Sequence, residues 1–191
     1  MKAFQITGTQ GFESFQKTEI PEPVPAPGQV VVGVKAVSLN FRDYMNVMGI
    51  RGITGPVPRI PCSDAAGVVE TVADGVGAWK PGDRVIIPFM PSWLDGPFSQ
   101  AHAAGALGGA TDGVLRERIA VPADSLVPLP GTLDFIQGAT LPCAAVTAWD
   151  ALQVRGRVRP GASVLIQGTG GVSVFALQIA RQSGARILAI T

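Results

Sequence analysis

The chain ends on VLIQGTGGVSVFALQIARQSGARILAIT, Val164–Thr191, and the reading of this stretch decides the fold. Ser163–Gln167 is apolar with almost no alternation, the pattern of a strand buried on both faces. Gly168 permits a tight turn and Gly170 lets the backbone approach an anion. A helix opening near Gly171 or Val172 then points its free N–H groups at the same place. Val172, Phe175, Ala176, Ile179 and Ala180 recur at helical spacing and are expected to pack on a sheet. Gly184 sits where a helix C-terminal glycine belongs, and residues 185–190, ARILAI, read as a second buried strand. Strand, glycine turn, helix and strand in this order open a dinucleotide-binding unit, with a plain glycine turn as the alternative. The match to G-x-G-x-x-G is incomplete, because Ser173 stands at the third glycine. That position governs helix–strand packing, so a small side chain is tolerable there. The group that separates NAD from NADP normally follows the second strand, here just past Thr191, so the cofactor reads as NADP or NAD.

Upstream, the texture is β. KAFQI and FESFQKTEI are short alternating runs, and PEPVPAPGQ (21–29) is a connector stiffened by prolines that exclude a helix. In VVVGVKAVSLN, residues Val30, Val32, Val34 and Ala36 share one face at strand period. GVVETVA and DRVIIPF are further strands, separated by the turn-rich DGVGAWKPG. VLRERIAVP places Leu115, Glu117, Ile119 and Val121 on one face of another. Many short strands with Gly/Pro turns predict a small barrel. Residues 90–113, MPSWLDGPFSQAHAAGALGGATDG, read as a long functional or mobile loop, unlike a strand or a well-capped helix. From Asp134, DFIQGATLPCAAVTAWDALQV is helix-forming and broken near Pro142. The expected boundary puts a barrel in residues 1–128 and the dinucleotide-binding domain in 129–191.

The bulk numbers exclude several classes. A net charge of +1 over 191 residues offers no argument for nucleic acid or an anionic membrane. Arg155, Arg157 and Arg159 read as a solvated helix end, with phosphate binding as the lesser alternative. MKAFQITGTQ lacks a signal-peptide core, and no apolar run approaches the ~18 residues of a membrane span. Two cysteines, Cys62 and Cys143, make no disulfide framework, so a cytoplasmic protein is expected.

The matching segments PAPGQVVVGVKAVSLNFRDYMNVMG (25–49), PCSDAAGVVETV (61–72), WKPGDRV (79–85), ATLPCAAVTAWDAL (139–152) and VLIQGTGGVS (164–173) cover nearly the whole chain. In this order they resemble the medium-chain dehydrogenase/reductase superfamily, and within it the zinc-free, quinone-oxidoreductase-like and alcohol-dehydrogenase-like branch. The resemblance implies an α/β plus β fold: an N-terminal GroES-like β-barrel followed by the first βαβ unit of a Rossmann fold, incomplete, with the active site in the cleft between them. Where zinc members hold a catalytic metal with Cys, His and Cys, this chain has Asn40, Ser63 and Cys143. One thiol beside Asp64 does not make the three-ligand site that catalytic zinc needs. The structural-zinc cysteines are also missing from residues 90–113. No metal is therefore expected.

Without a Lewis acid, an activated acceptor is the easier hydride target, since hydrogen bonds stabilise the enolate that forms. The resemblance thus implies an NAD(P)H-dependent oxidoreductase acting on a quinone or α,β-unsaturated carbonyl, with an aldehyde also in range and a homodimer as the candidate assembly. It implies that Asn40 faces the nicotinamide or the substrate carbonyl, the alternative being a turn asparagine. Tyr44, the single tyrosine, is a candidate proton donor to an enolate or a packing residue. Asp64 either lines the cleft or satisfies barrel backbone, and Asp43 orders its loop. Thr147 stands at the family position that contacts nicotinamide, beside the cradle Gly168, Thr169, Gly170, Gly171 and Val172. Cys143 reads as a buried small hydrophobe and the lone His102 as a solvated loop residue without a partner. A working Rossmann domain needs about six strands, so the alternative function is a truncated, non-catalytic barrel module or a fragment of a longer alcohol dehydrogenase-like enzyme.

Overall fold

The computed structural model describes residues 1–8, 11–50 and 57–190, so Thr191 of the closing stretch lies outside them. Residues Met1–Ala139 and Thr140–Thr191 form two compact units.

The first unit is built on an antiparallel sheet in the order β6-β3-β4-β5-β7. Its strands are β3 (Gln29–Ser38), β4 (Asp64–Val72), β5 (Arg84–Ile87), β6 (Arg118–Pro122) and β7 (Val127–Pro128). Strands β1 (Lys2–Ile6) and β2 (Phe15–Glu19) form an antiparallel hairpin. Phe4 N–H donates to Leu115 O at 3.0 Å and Glu117 N–H to Lys2 O at 3.1 Å, stitching the hairpin to the segment that leads into β6. Sheet and hairpin together make the small β unit that the strand texture predicts and that the family resemblance implies. The pairing of β3 with β4 is irregular twice: Glu70 of β4 is the extra residue opposite Val31–Val32, and Lys35 of β3 is the extra residue between Val34 and Ala36. Val31 is buried outside the core cluster, while Val30 and Val32 enter the core on the one face the strand period predicts. Val69, Val85, Ile87, Ile119 and Val121 complete the core with them. Helix α3 (Phe135–Ala139) follows β7, and Arg84 ties it down by donating to Leu133 O at 2.6 Å and lying 4.8 Å from the Phe135 ring centre. Helix α3 packs on β3, β4 and β5, which is why residues up to Ala139 group with the barrel.

Residues 90–113 are more ordered than a bare loop: they carry α2 (Gln100–Ala104) and a bridge from Leu107 to Thr111.

The second unit begins with a helical run, Leu141–Arg155, whose middle turn is α4 (Val146–Trp149). Pro142 sits in the first turn, where its missing N–H costs nothing. Turns on both sides of α4 are wide, and Gly156 N–H reaches back five residues to Ala151 O at 2.9 Å. Strands β8 (Ser163–Gln167) and β9 (Arg186–Ile190) then pair in parallel around α5 (Gly171–Gln182). Gly184 adopts φ 69° just past α5, and Ala185 N–H closes on Ala180 O at 3.1 Å, the helix stop expected there. The expectation of two strands buried on both faces is corrected. Val164 and Ile166 are buried with Ala180, but Leu165 is 56 % and Ile190 55 % exposed. Val172 is exposed as well, so α5 packs through Ala176 and Ala180 and not through its first turn.

Candidate functional site

Asn40 is extended and precedes α1 (Phe41–Met48). Its backbone N–H donates to Asp43 Oδ2 at 2.8 Å, while Asp43 N–H donates to Asn40 O at 2.9 Å. This mutual capping orders the turn and makes a free helix start energetically acceptable. Gly49 closes the helix with φ 65°. One face of α1 buries Asp43, Asn46 and Val47, while Phe41 and Tyr44 stay exposed.

The buried face is polar and fastened to a neighbouring loop. Asn46 Nδ2 donates to Gly108 O at 2.9 Å, and Arg42 donates to Leu107 O at 2.6 Å while its guanidinium lies 4.4 Å from the Phe89 ring centre. Burial holds the Asp43 carboxyl above its ordinary range, and the charge of Asp64 adds to this against the Asn40 N–H and Arg42.

The Pro61–Cys62–Ser63 segment is clamped on the same side. Cys62 has φ 68°, and its carbonyl accepts Val114 N–H at 3.0 Å. Gly108 and Gly113 lie so close to this backbone that neither has room for a Cβ. Burial, then the charge of Asp43, pushes the Cys62 thiol far up, so it is a small protonated hydrophobe. Ser63 Oγ donates to Asp64 Oδ1 at 2.5 Å, and both residues are fully buried.

Between α1 and the β1–β2 hairpin lies a cavity of about 270 Å³. Phe12, Phe15, Leu39, Tyr44, Val47 and Leu115 give it an apolar wall, interrupted by Asn40 and Asp43. The Tyr44 ring lies 5.8 Å from Phe41 and 6.3 Å from Phe12. Asn40 Nδ2 is buried and has no hydrogen-bond acceptor among the described residues. The structure therefore brings Asn40 and Tyr44 to one wall and sets Asp64 apart from it, under Ser63. Phe12 and Phe15 carry no signal in the sequence, because only the hairpin brings them to α1. Asn46 carried one: it follows Asp43 by three residues, on the same helical face.

In the second unit, Thr147 is exposed on α4. Gly168 has φ 81° and Gly170 is the extended residue before α5, and a Cβ at either would project into open space. Residues Gly168–Val172 are all exposed. Such a cradle, with a helix N-terminus behind it, fits a pyrophosphate. At the position of the missing third glycine, Ser173 Oγ donates to Gln167 O at 2.9 Å, so the hydroxyl joins helix to strand. Ser173→Gly is accordingly expected to destabilise the chain by about 1–2 kcal/mol, through the lost hydrogen bond and the added backbone entropy, in urea unfolding. A neutral or stabilising effect would show that the hydroxyl contributes nothing.

His102 is not the partnerless loop residue expected. Its Nδ1 accepts Ser99 N–H at 3.1 Å at the start of α2, and its ring stacks on Trp93 at 5.6 Å. Cys143 is partly buried, and Arg155, at the end of the helical run, donates to Asp150 Oδ2 at 2.6 Å.

The alcohol dehydrogenase GroES-like domain family matches residues 26–131. The chain is 41% identical over 181 residues to a zinc-type alcohol dehydrogenase-like protein of Schizosaccharomyces pombe, covering 93% of this chain and 52% of that protein. It is 35% identical over 191 residues to quinone oxidoreductase of Rattus norvegicus, covering 98% of this chain and 52% of the relative. The crystal structure of an assigned alcohol dehydrogenase from Sinorhizobium meliloti 1021 superposes with a TM-score of 0.87 at 40% identity, covering 100% of this chain and 57% of that one. The chain belongs to the GroES-like alcohol dehydrogenase family, within the medium-chain dehydrogenase/reductase superfamily of oxidoreductases. It spans about half the length of the curated relatives it matches.

Proposed function

We propose that this chain carries the substrate wall and the phosphate cradle of a zinc-independent, NAD(P)H-dependent reductase of quinones or α,β-unsaturated carbonyls. The observation that carries the reading is the unspent Asn40 Nδ2 donor on an apolar wall shared with Tyr44. An enone or quinone presents a flat apolar body to Phe12, Phe15 and Leu115 and one oxygen that gains negative charge during reduction. A positioned amide N–H stabilises that charge, and a phenol supplies the proton. Gly168, Thr169, Gly170, Gly171 and Val172 would hold the pyrophosphate of a nicotinamide dinucleotide, and Thr147 its nicotinamide. When bound, that cofactor supplies the hydride. The zinc-independent part rests on residue identity, since Asn40 and Ser63 replace two ligands of the zinc members.

The test is a screen of NADPH and NADH oxidation by the native polypeptide carrying this chain, with benzoquinones, enones and simple ketones, before and after chelation. Turnover of quinones or enones that survives chelation is expected. Turnover of simple ketones alone, lost on chelation, would refute the proposal. Tyr44→Phe is expected to lower kcat about tenfold with little change in KM, less than the usual loss for a general acid because this residue is half-exposed and water can stand in for it. An unchanged kcat would return Tyr44 to a packing role.

A further inference from the structure

A second concavity, about 440 Å³, lies on the other side of the β1–β2 hairpin, sharing Leu115 with the first. Its floor is the Leu115–Glu117 segment. That segment is held between β1 and β3 by the Phe4 N–H bond to Leu115 O and by Val34 N–H, which donates to Glu117 O at 2.9 Å. Phe4, Val37 and Leu115 make the floor apolar. Four cations stand around it: Lys2, Lys17, Lys35 and Arg116. Lys17 is directly opposite Phe4 in the hairpin register, which brings a cation to the apolar side of the groove. None of the four forms an ion pair among the described residues, although ion pairs occur nearby at Arg118 with Glu22 and Glu70. The one carboxylate on the wall, Glu117, is already engaged, since its Oε2 accepts the Lys2 backbone N–H at 2.7 Å. Arg116 Nε is buried without an acceptor. A buried guanidinium N–H is costly to leave unsatisfied, and here it lies at the edge of a basic, apolar-floored groove.

We propose that this groove binds an amphiphilic organic anion, a carboxylate or phosphate monoester on an apolar chain, with the chain on Phe4, Val37 and Leu115 and the head group among Lys17, Lys35 and Arg116. Charge complementarity selects this occupant: a neutral hydrophobe would leave the cations unused, and a free inorganic ion would leave the apolar floor wet. The groove lies apart from Asn40 and Tyr44, so the inference stands whether or not the reductase reading does.

The native polypeptide carrying this chain is titrated calorimetrically with decanoate and decyl phosphate, and separately with decanol, inorganic phosphate and vesicles of anionic phospholipid. One-to-one binding of both decyl anions is expected, weakening as salt is raised, with decanol and inorganic phosphate at least about tenfold weaker, the scale of one lost element of recognition. The double variant Lys17→Glu/Lys35→Glu changes only exposed side chains and is expected to weaken decanoate about tenfold or more with unchanged circular dichroism. Arg116→Gln is expected to weaken it as well. Decanol matching decanoate, an unaffected double variant, inorganic phosphate matching decyl phosphate, or binding to vesicles alone would each overturn the proposal.

Discussion

Gly108→Ala is expected to destabilise the Met1–Ala139 unit by about 3 kcal/mol, combining a left-handed backbone penalty of about 1–2 kcal/mol with overpacking of similar size. The position has φ +69°, and a Cβ there would sit 2.5 Å from Cys62 O and 2.7 Å from Cys62 N, both unyielding backbone atoms. Gly75→Ala supplies the control: φ is +82° and nothing lies within 4 Å, so only the backbone penalty applies. Urea unfolding followed by circular dichroism should separate the two variants by about 1–2 kcal/mol. Equal losses would mean that the Cys62 segment yields freely. The effect should also reach the apolar cavity beside α1, because the Leu107 and Gly108 carbonyls hold Arg42 and Asn46 of that helix, which carries Tyr44.

Gly170→Asp is expected to move stability and cofactor affinity in opposite directions. Gly170 is extended, with φ −74° and ψ 175°, so an L residue fits, and aspartate is a good residue to precede a helix. Stability should hold or rise by a few tenths of a kcal/mol. The new carboxylate would occupy the open space in front of the α5 N-terminus, where a pyrophosphate carries like charge. A repulsion of about 3 kcal/mol at ~4 Å in a half-solvated site corresponds to roughly a hundredfold loss of NADPH and NADH affinity. Fluorescence titration on the native polypeptide reads the affinity, and urea unfolding reads the stability. Undiminished affinity would remove the glycine turn from the cofactor cradle.

Elements whose determinants are local were legible in the sequence. The β8–α5–β9 unit announces itself through Gly168, Gly170 and Gly184, because each glycine meets a backbone need within a few residues. The capping by Asp43 was legible for the same reason. Non-local facts were not legible. An apolar strand looks the same whether one or two faces are covered, so Leu165 and Leu188 read as buried and are exposed. The His102–Trp93 stack joins residues nine positions apart through a helix too short to show periodicity. For Asp64 the chain neighbours leave two readings open, a cleft residue or one satisfying barrel backbone, and its full burial beside Ser63 comes from the packed barrel and not from any local pattern. The cavity wall from Phe12 and Phe15 depends on a hairpin brought against α1, which no window along the chain encodes.

The contrast between the two thiols has a practical use. Cys62 is sealed and its pKa is raised, so alkylating reagents will pass it by in the folded chain. Cys143 is partly open and precedes Ala144, whose Cβ lies 3.4 Å from the place a Cβ on Gly171 would take. These 191 residues thus carry a single addressable attachment point for a spectroscopic reporter. A dye placed there would register ligand arrival at the glycine turn without any mutagenesis.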